Sequence, residues 1–343
     1  MIWRPSVLPF IDDILRYDSL SIVGLEKNTG KTECLKYVLD RLPVQTKRIA
    51  VTSIGIDGET VDQVTRTQKP EIVLREGMYF GTSETHYRQR RLVSELIDVS
   101  DENTSLGRVV TARALTGGKI LLSGPSSASS LRRWMGEMRR LDIDLVVIDG
   151  ALSRMSSASP AVSQSMILAT GAAYSANINT LVSKTAHVVD LVNLELTSEK
   201  NRNRLAPLDK GLWFIDKQGE LHTLDTMTSL SKDIRFQGIE DCETLYVAGA
   251  LVDGFLEKVR KNKNLKQVEL VVRDFTKIFV TPQQFRLFIK AGGRISVLQK
   301  SKLIAVTVNP TSPSGYVLDS DTLCGKLSEA IRLPVYDLIK NNG

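Results

Sequence analysis

The sequence predicts an α/β fold, a doubly wound and mostly parallel sheet flanked by helices, with a small β hairpin inserted. Short apolar, β-branched runs alternate with amphipathic stretches along most of the chain, as buried parallel strands covered by helices do. Several of these runs stop at Gly or Asp-Gly, where a chain can leave a sheet sharply. The third observation is size: 343 residues, 42% of them hydrophobic, can bury a large core, and at roughly 150 residues per domain they make one large domain or two ordinary ones. With 24% charged residues, and 23 Gly and 11 Pro scattered without a period, collagen, coiled coil and charge-driven disorder are excluded.

Taken in order, Ser19 to Val23 reads as a strand running into Gly24, and Lys31 to Leu42 as a helix stopped by Pro43. Arg48 to Ile54, Lys119 to Ser123 and Asp144 to Ile148 read as further strands, the last ending in Asp149-Gly150, with a helix from about Ser130 to Leu141 between the latter two. In the Ser-, Ala- and Gly-rich stretch that follows, Ser159-Pro160 predicts a helix start, Met166 to Leu168 its apolar face and Gly171 its stop. A second helix, about Ile178 to Val192, has Leu181, Val182, Val188 and Val189 on one face. The polar tract Glu199 to Asn203 then introduces Leu212 to Ile215 and Glu220 to Leu224, a hairpin around Lys217-Gln-Gly219. Strands resume at Thr244 to Val247, Val268 to Val272 and Leu303 to Val308, accompanied by helices at Gly254 to Lys261, Pro282 to Ala291 and Thr322 to Ala330. Composition breaks nowhere sharply. The reading is therefore one domain over 1–343 with a hairpin insertion at about 199–240; the alternative divides the chain into 1–196, which would bind nucleotide, and 241–343.

Forty-five Lys and Arg against 39 Asp and Glu leave a formal charge of +6 and a pI near 9.1. The basic clusters interleave with Glu and apolar residues at helical spacing, as in Leu131 to Leu141. That favours solvated helix faces over a nucleic-acid surface. Cys34, Cys242 and Cys324 stand far apart, outside any zinc or redox spacing, and His86, His187 and His222 are isolated, which argues for a reducing compartment and against a disulfide framework. The N-terminus is apolar only as far as Asp12 and Asp13, and no apolar run reaches spanning length. The expectation is a cytoplasmic protein without membrane contact.

The segment that carries chemistry is Gly24-Leu-Glu-Lys-Asn-Thr-Gly30-Lys31-Thr32, between a strand and a helix. There, backbone N–H groups from Lys27, Asn28, Thr29, Gly30 and Glu33 and the helix N-terminus suit phosphates, Lys31 suits the β- and γ-phosphates, and the Thr32 hydroxyl suits Mg²⁺. Glycine is displaced by one position from the common G-x-x-x-x-G-K-[ST] pattern: Leu25 stands where that pattern has its first glycine. Mg²⁺ needs an acid besides Thr32. Asp149, closing the apolar run Leu145 to Ile148, is the first candidate, and Asp57 in Thr52-Ser-Ile-Gly-Ile-Asp-Gly-Glu59 is the second, as a metal or water ligand or else an Asp-Gly turn. Arg154 lies just beyond Asp149, and Asn309 ends an apolar strand before Pro310. Lys31, Asp57 and Asp149 form the expected catalytic set, with ATP and Mg²⁺ as cofactors.

With five residues between its glycines, the loop resembles that of dethiobiotin synthetase and the cobyrinate amidating synthases, in the signal-recognition/MinD/BioD class of P-loop NTPases. Lys27 is not at the spacing of the additional signature lysine of the MinD branch. In dethiobiotin synthetase-like chains a strand-end Asn near Pro reads adenine, which the resemblance assigns to Asn309. More narrowly, Ser21 to Glu33, Val51 to Glu59, Ile148 to Arg154 and Val308 to Tyr316 resemble the reactivase subunit associated with adenosylcobalamin-dependent lysine aminomutase. That resemblance implies an ATPase exchanging damaged cobalamin for intact cofactor, with the aminomutase and a second ATPase subunit as partners. A dethiobiotin synthetase-like ligase acting on a small carboxylate is the alternative, a nucleic-acid-linked NTPase the third reading, and a homo-oligomer stays open.

Overall fold

A computed structural model describes residues 8–54, 70–151, 162–224, 228–230, 236, 239–263 and 268–340. The first stretch of chain runs α1 (Phe10–Ile14), β1 (Ser19–Gly24), α2 (Lys31–Arg41), β2 (Ile49–Ser53), β3 (Ile72–Leu74), β4 (Tyr79–Ser83), α3 (Glu84–Arg88), β5 (Ser94–Thr104) and β6 (Gly107–Ala114). It continues through β7 (Gly118–Ile120), α4 (Ala128–Arg140), β8 (Leu145–Ala151), β9 (Ser165–Gly171) and α5 (Ile178–Val192). There follow β10 (Glu195–Leu196), α6 (Glu199–Leu205), β11 (Leu212–Asp216), β12 (Leu221–Thr223), β13 (Cys242–Val247), β14 (Leu251–Val252) and α7 (Asp253–Lys261). The last elements are β15 (Glu269–Val272), β16 (Ile278–Phe279), α8 (Pro282–Lys290), β17 (Arg294–Val297), β18 (Lys302–Asn309), α9 (Ser320–Ile331) and β19 (Val335–Asp337).

Two compact units result, Met1–Thr185 with Lys302–Gly343, and Ala186–Ser301. These boundaries differ from both divisions the sequence suggested, because β18 returns after 130 residues to pair with β9, from Lys302↔Ser165 to Asn309↔Gly171. No composition signal marks that return.

In the first unit the main sheet of the described residues runs β19-β18-β9-β1-β8-β2-β4-β6-β5. The strands from β19 to β4 are parallel, and β6 and β5 extend the sheet antiparallel. All six residues of β1 are buried, as the central position demands. Side-chain alternation sends Leu20, Ile22, Val51 and Val147 into one cluster with Leu35, Val38 and Leu39 of α2, and Ala50, Val146 and Ile148 into another with Leu131, Trp134 and Met138 of α4. Helices thus cover both faces. Each such large aliphatic side chain contributes about 1.5–3 kcal/mol by leaving water. Trp134 is fixed further by its indole N–H, which donates to the Thr111 hydroxyl at 2.9 Å, and it lies so close over Gly81 that a Cβ there would come within 2.8 Å of the ring.

Three expectations are corrected, and one tract read only as polar gains a structure. Met166 to Leu168 belong to the strand β9, with every residue buried, whereas the sequence predicted a helix starting at Ser159-Pro160; those two residues lie outside the described ones. A strand buried on both faces shows a continuous apolar run, which periodicity does not separate from a short buried helix. Lys119 to Ser123 is strand only to Ile120, paired antiparallel with β3. Beyond it the Thr82 hydroxyl takes backbone partners, donating to the Leu121 carbonyl at 2.8 Å and accepting from the Ser123 N–H at 3.2 Å. The polar tract at Glu199 is helix α6, capped by the Ser198 side chain and anchored by buried Leu205. Finally, the hairpin β11–β12 forms, but as the edge of a second sheet, β10-β17-β15-β13-β11-β12, in the second unit. There Leu205, Ile215, Tyr246 and Val271 make a separate core.

Candidate functional site

Parallel strands end together, so the C-terminal ends of β1, β8, β9, β18 and β2 share one edge of the main sheet, where open α/β sheets place ligands. Register fixes which residues meet there. Ile22 pairs with Asp149, Gly24 with Ala151 on one side and with Ala169 on the other, and Ser53 with Asp149. The loop leaving β1 is anchored at once, the Leu25 N–H donating to the Ala169 carbonyl at 2.9 Å. It then folds back on itself: the buried Thr29 hydroxyl donates to the Glu26 carbonyl at 2.8 Å. A Cβ on Gly24 would approach that hydroxyl to 2.9 Å, which is why the strand ends in glycine although the common spacing puts glycine one residue later.

Asn28 and Gly30 both take left-handed backbone conformations, φ 61° and 88°. Asn tolerates this better than most side chains, and Gly adopts it without steric cost. Gly30 is followed directly by helical Lys31, an alternation of hand of the kind that turns successive N–H groups toward one side. The first helical bond, from the Cys34 N–H to the Gly30 carbonyl at 2.9 Å, leaves the N–H groups of Lys31, Thr32 and Glu33 without partners within the helix.

The charged groups have definite places. The Lys31 ammonium stands 2.9 Å from Asp149 Oδ1, so β8 delivers the acid to the base of the loop. Thr32 is half-buried on the first turn of α2. The Glu33 carboxylate pairs with Lys36 at 2.9 Å on the outer face of α2, and only its backbone N–H is left for an anion. Lys27 is exposed, with its N–H capped by the Glu26 carboxylate at 3.0 Å. Beneath the loop, burial pushes the Cys34 thiol up to about 12, which makes it an inert packing residue. Asp57 and Arg154 lie outside the described residues. The strand end from which Asp57 departs is held firmly: the Ile54 N–H donates to the Asp149 carbonyl at 3.1 Å, and the Gly124 N–H to Ser53 Oγ at 3.2 Å.

Asn309 reaches the same edge from β18. Its amide nitrogen donates to the Asn28 carbonyl at 3.1 Å and its amide oxygen accepts from the Thr311 N–H at 3.1 Å. A Cβ on Gly30 would stand 3.0 Å from the Asn309 Cβ. No family model matches this chain, and no curated protein matches it as a relative.

Sequence reading missed several contributors. Gly171 was expected as a helix stop; in the structure a Cβ there would fall 2.1 Å from the Asn309 carbonyl oxygen, so its lack of a side chain lets β9 and β18 close. Ala169 acts through a backbone carbonyl, which leaves no trace in residue type. His86, isolated in sequence, lies 2.7 Å by Nδ1 from Ser123 Oγ, which donates to Ser83 Oγ at 2.7 Å. All three side chains are buried, and the network ties the start of α3 to the segment before Gly124. Among the described residues no three His, Cys, Asp or Glu side chains gather into a metal-binding cluster, and no helix is long and apolar enough to cross a membrane.

Proposed function

We propose that the chain binds a nucleoside triphosphate at the C-terminal edge of the main sheet and belongs to the P-loop NTPases. The observation that carries this reading is the Lys31–Asp149 pair at 2.9 Å, set beneath a loop whose glycines would collide with their surroundings if they bore a Cβ. The loop's N–H groups and the N-terminus of α2 bind and orient phosphate, and Lys31 supplies a mobile charge to its outer oxygens. Mg²⁺ fits the donor set, since the Thr32 hydroxyl and the Asp149 carboxylate are hard oxygens; bound there it would neutralise phosphate charge developed during transfer. Asp57 stays in the proposal as a second acid. Calorimetry with ATP and GTP on wild type and Lys31→Ala tests the binding; equal affinity in both proteins refutes it.

The output we propose is the one implied by the segments Ser21 to Glu33, Val51 to Glu59, Ile148 to Arg154 and Val308 to Tyr316, namely reactivation of a cobalamin-dependent lysine aminomutase together with a second ATPase subunit. Loss of the adenosyl group leaves an inactive cobalamin held tightly, and its release requires the aminomutase to open. A protein that binds the open form more tightly with ATP than with ADP drives that opening by differential affinity. Recovery of aminomutase turnover with fresh adenosylcobalamin, by wild type and not by Lys31→Ala, supports the reading. No recovery by either protein, with ATP turnover instead stimulated by a small carboxylate, replaces it with the ligase that the nine-residue loop resembles.

A further inference from the structure

We propose that Asn309 is a positioning residue of the phosphate loop, acting on a bound triphosphate through Asn28, and that it does not read the base. The inference rests on the nucleotide reading above and deepens it. Both polar ends of the Asn309 side chain are engaged within the protein: the amide nitrogen with the Asn28 carbonyl at 3.1 Å, the amide oxygen with the Thr311 N–H at 3.1 Å. Each of these bonds has a structural task, and a purine edge would be left with only the second N–H and the second lone pair of an amide whose orientation the protein already sets.

The bond to Asn28 falls on a residue held at φ 61°, a conformation a non-glycine residue adopts at a cost and keeps only when its surroundings fix it. Asn309 also packs on Gly30, the second left-handed position, where a Cβ would come within 3.0 Å. One side chain thereby braces both left-handed residues of the loop. Asn309 itself is immobilised through its backbone, whose carbonyl accepts the Ala172 N–H at 2.8 Å and crowds Gly171. The opposite flank of the loop is held by the Leu25 N–H on the Ala169 carbonyl at 2.9 Å. The phosphate loop is therefore gripped from β9 at its start and from β18 at its middle, and its N–H groups are oriented before any ligand arrives.

Brace and base reader differ in what their loss does. Wild type, Asn309→Ala and Asn309→Asp are titrated calorimetrically with ATP, GTP and inorganic tripolyphosphate in the presence of Mg²⁺, with folding checked by circular dichroism. Asn309→Asp keeps the acceptor for Thr311 and nearly the same shape; its added charge weakens every polyphosphate, so if the alanine variant does not fold the decisive readout in this one is the ratio of ATP to tripolyphosphate affinity. The expected result is a loss of about three- to ten-fold in Asn309→Ala, the same for all three ligands, and a larger common loss in Asn309→Asp, where a carboxylate oxygen faces the Asn28 carbonyl. A loss confined to ATP, or no loss in either variant, overturns the proposal while leaving triphosphate binding intact. Wild type that binds none of the three ligands overturns the nucleotide reading itself, and this inference with it.

Discussion

Replacing Asp149 by Asn should change triphosphate affinity in opposite directions with and without Mg²⁺. The Lys31 ammonium lies 2.9 Å from the carboxylate, a gross attraction of about 6 kcal/mol at an effective dielectric of about 20. The two side chains are 26% and 19% exposed, so loss of hydration on pairing offsets most of that attraction. The net coupling is about 1–2 kcal/mol, between the values of open surface pairs and fully buried ones. A polyphosphate that takes Lys31 must break this pair, and Asp149→Asn removes the competitor. In EDTA, calorimetric affinity for ATP or tripolyphosphate should therefore rise about 5- to 30-fold. In Mg²⁺ it should fall, because the variant lacks the anionic oxygen that suits the metal, and ATP hydrolysis should fall further still. Unchanged or weaker binding in EDTA would refute the competition, and a change of the same sign in both media would refute the metal assignment.

Lys31→Ala should lower ATP affinity about 10- to 150-fold, the loss of one charged donor to phosphate, while far-ultraviolet circular dichroism stays unchanged. Gly30→Ala and Gly77→Ala impose similar backbone strain, at φ 88° and 85°, but only Gly30 also has Asn309 within 3.0 Å of the new Cβ; urea titration should show about 1–2 kcal/mol lost at Gly77 and clearly more at Gly30, and equal losses would refute the packing. Gly81→Ala should destabilise by about 2 kcal/mol or more through the collision with Trp134, read as a lower urea midpoint. Burial raises the Cys34 thiol to about 12, so the unfolded chain ionises first; stability should decline as pH rises past about 9, and a Cys34→Ala variant should show a shallower decline.

Where residue type and periodicity carry the information, the sequence was readable: β1, α2, β2, β8 and α5 lie within a few residues of their expected limits, because apolar runs, Pro43 and the flanking glycines mark them. β9 was misread because burial on both faces erases the alternation that marks a strand. β5 was missed because acidic and small polar residues dominate it along an edge and leave little apolar signal. At the site, the Lys31–Asp149 pair follows from two motifs on neighbouring strands. The brace does not: Asn309 meets Asn28 across 281 residues, and nothing local at either position records the other. Its residue type was noticed, but its partner is set by strand order alone.

That separation has a consequence for how the chain is made. Synthesis proceeds from the N-terminus, and β1, α2, β2 and β8 are complete long before Asn309 leaves the ribosome. The nascent chain can assemble the centre of the sheet early, but β9 lacks one neighbour, and Asn28 lacks the group that fixes its carbonyl, until β18 arrives. Pairings between such distant segments form late, because their loop entropy must be overcome before they gain contact energy. The last part of this loop to mature is thus its middle, and a partly synthesised chain carries the loop's residues without the shape that the complete sheet gives them.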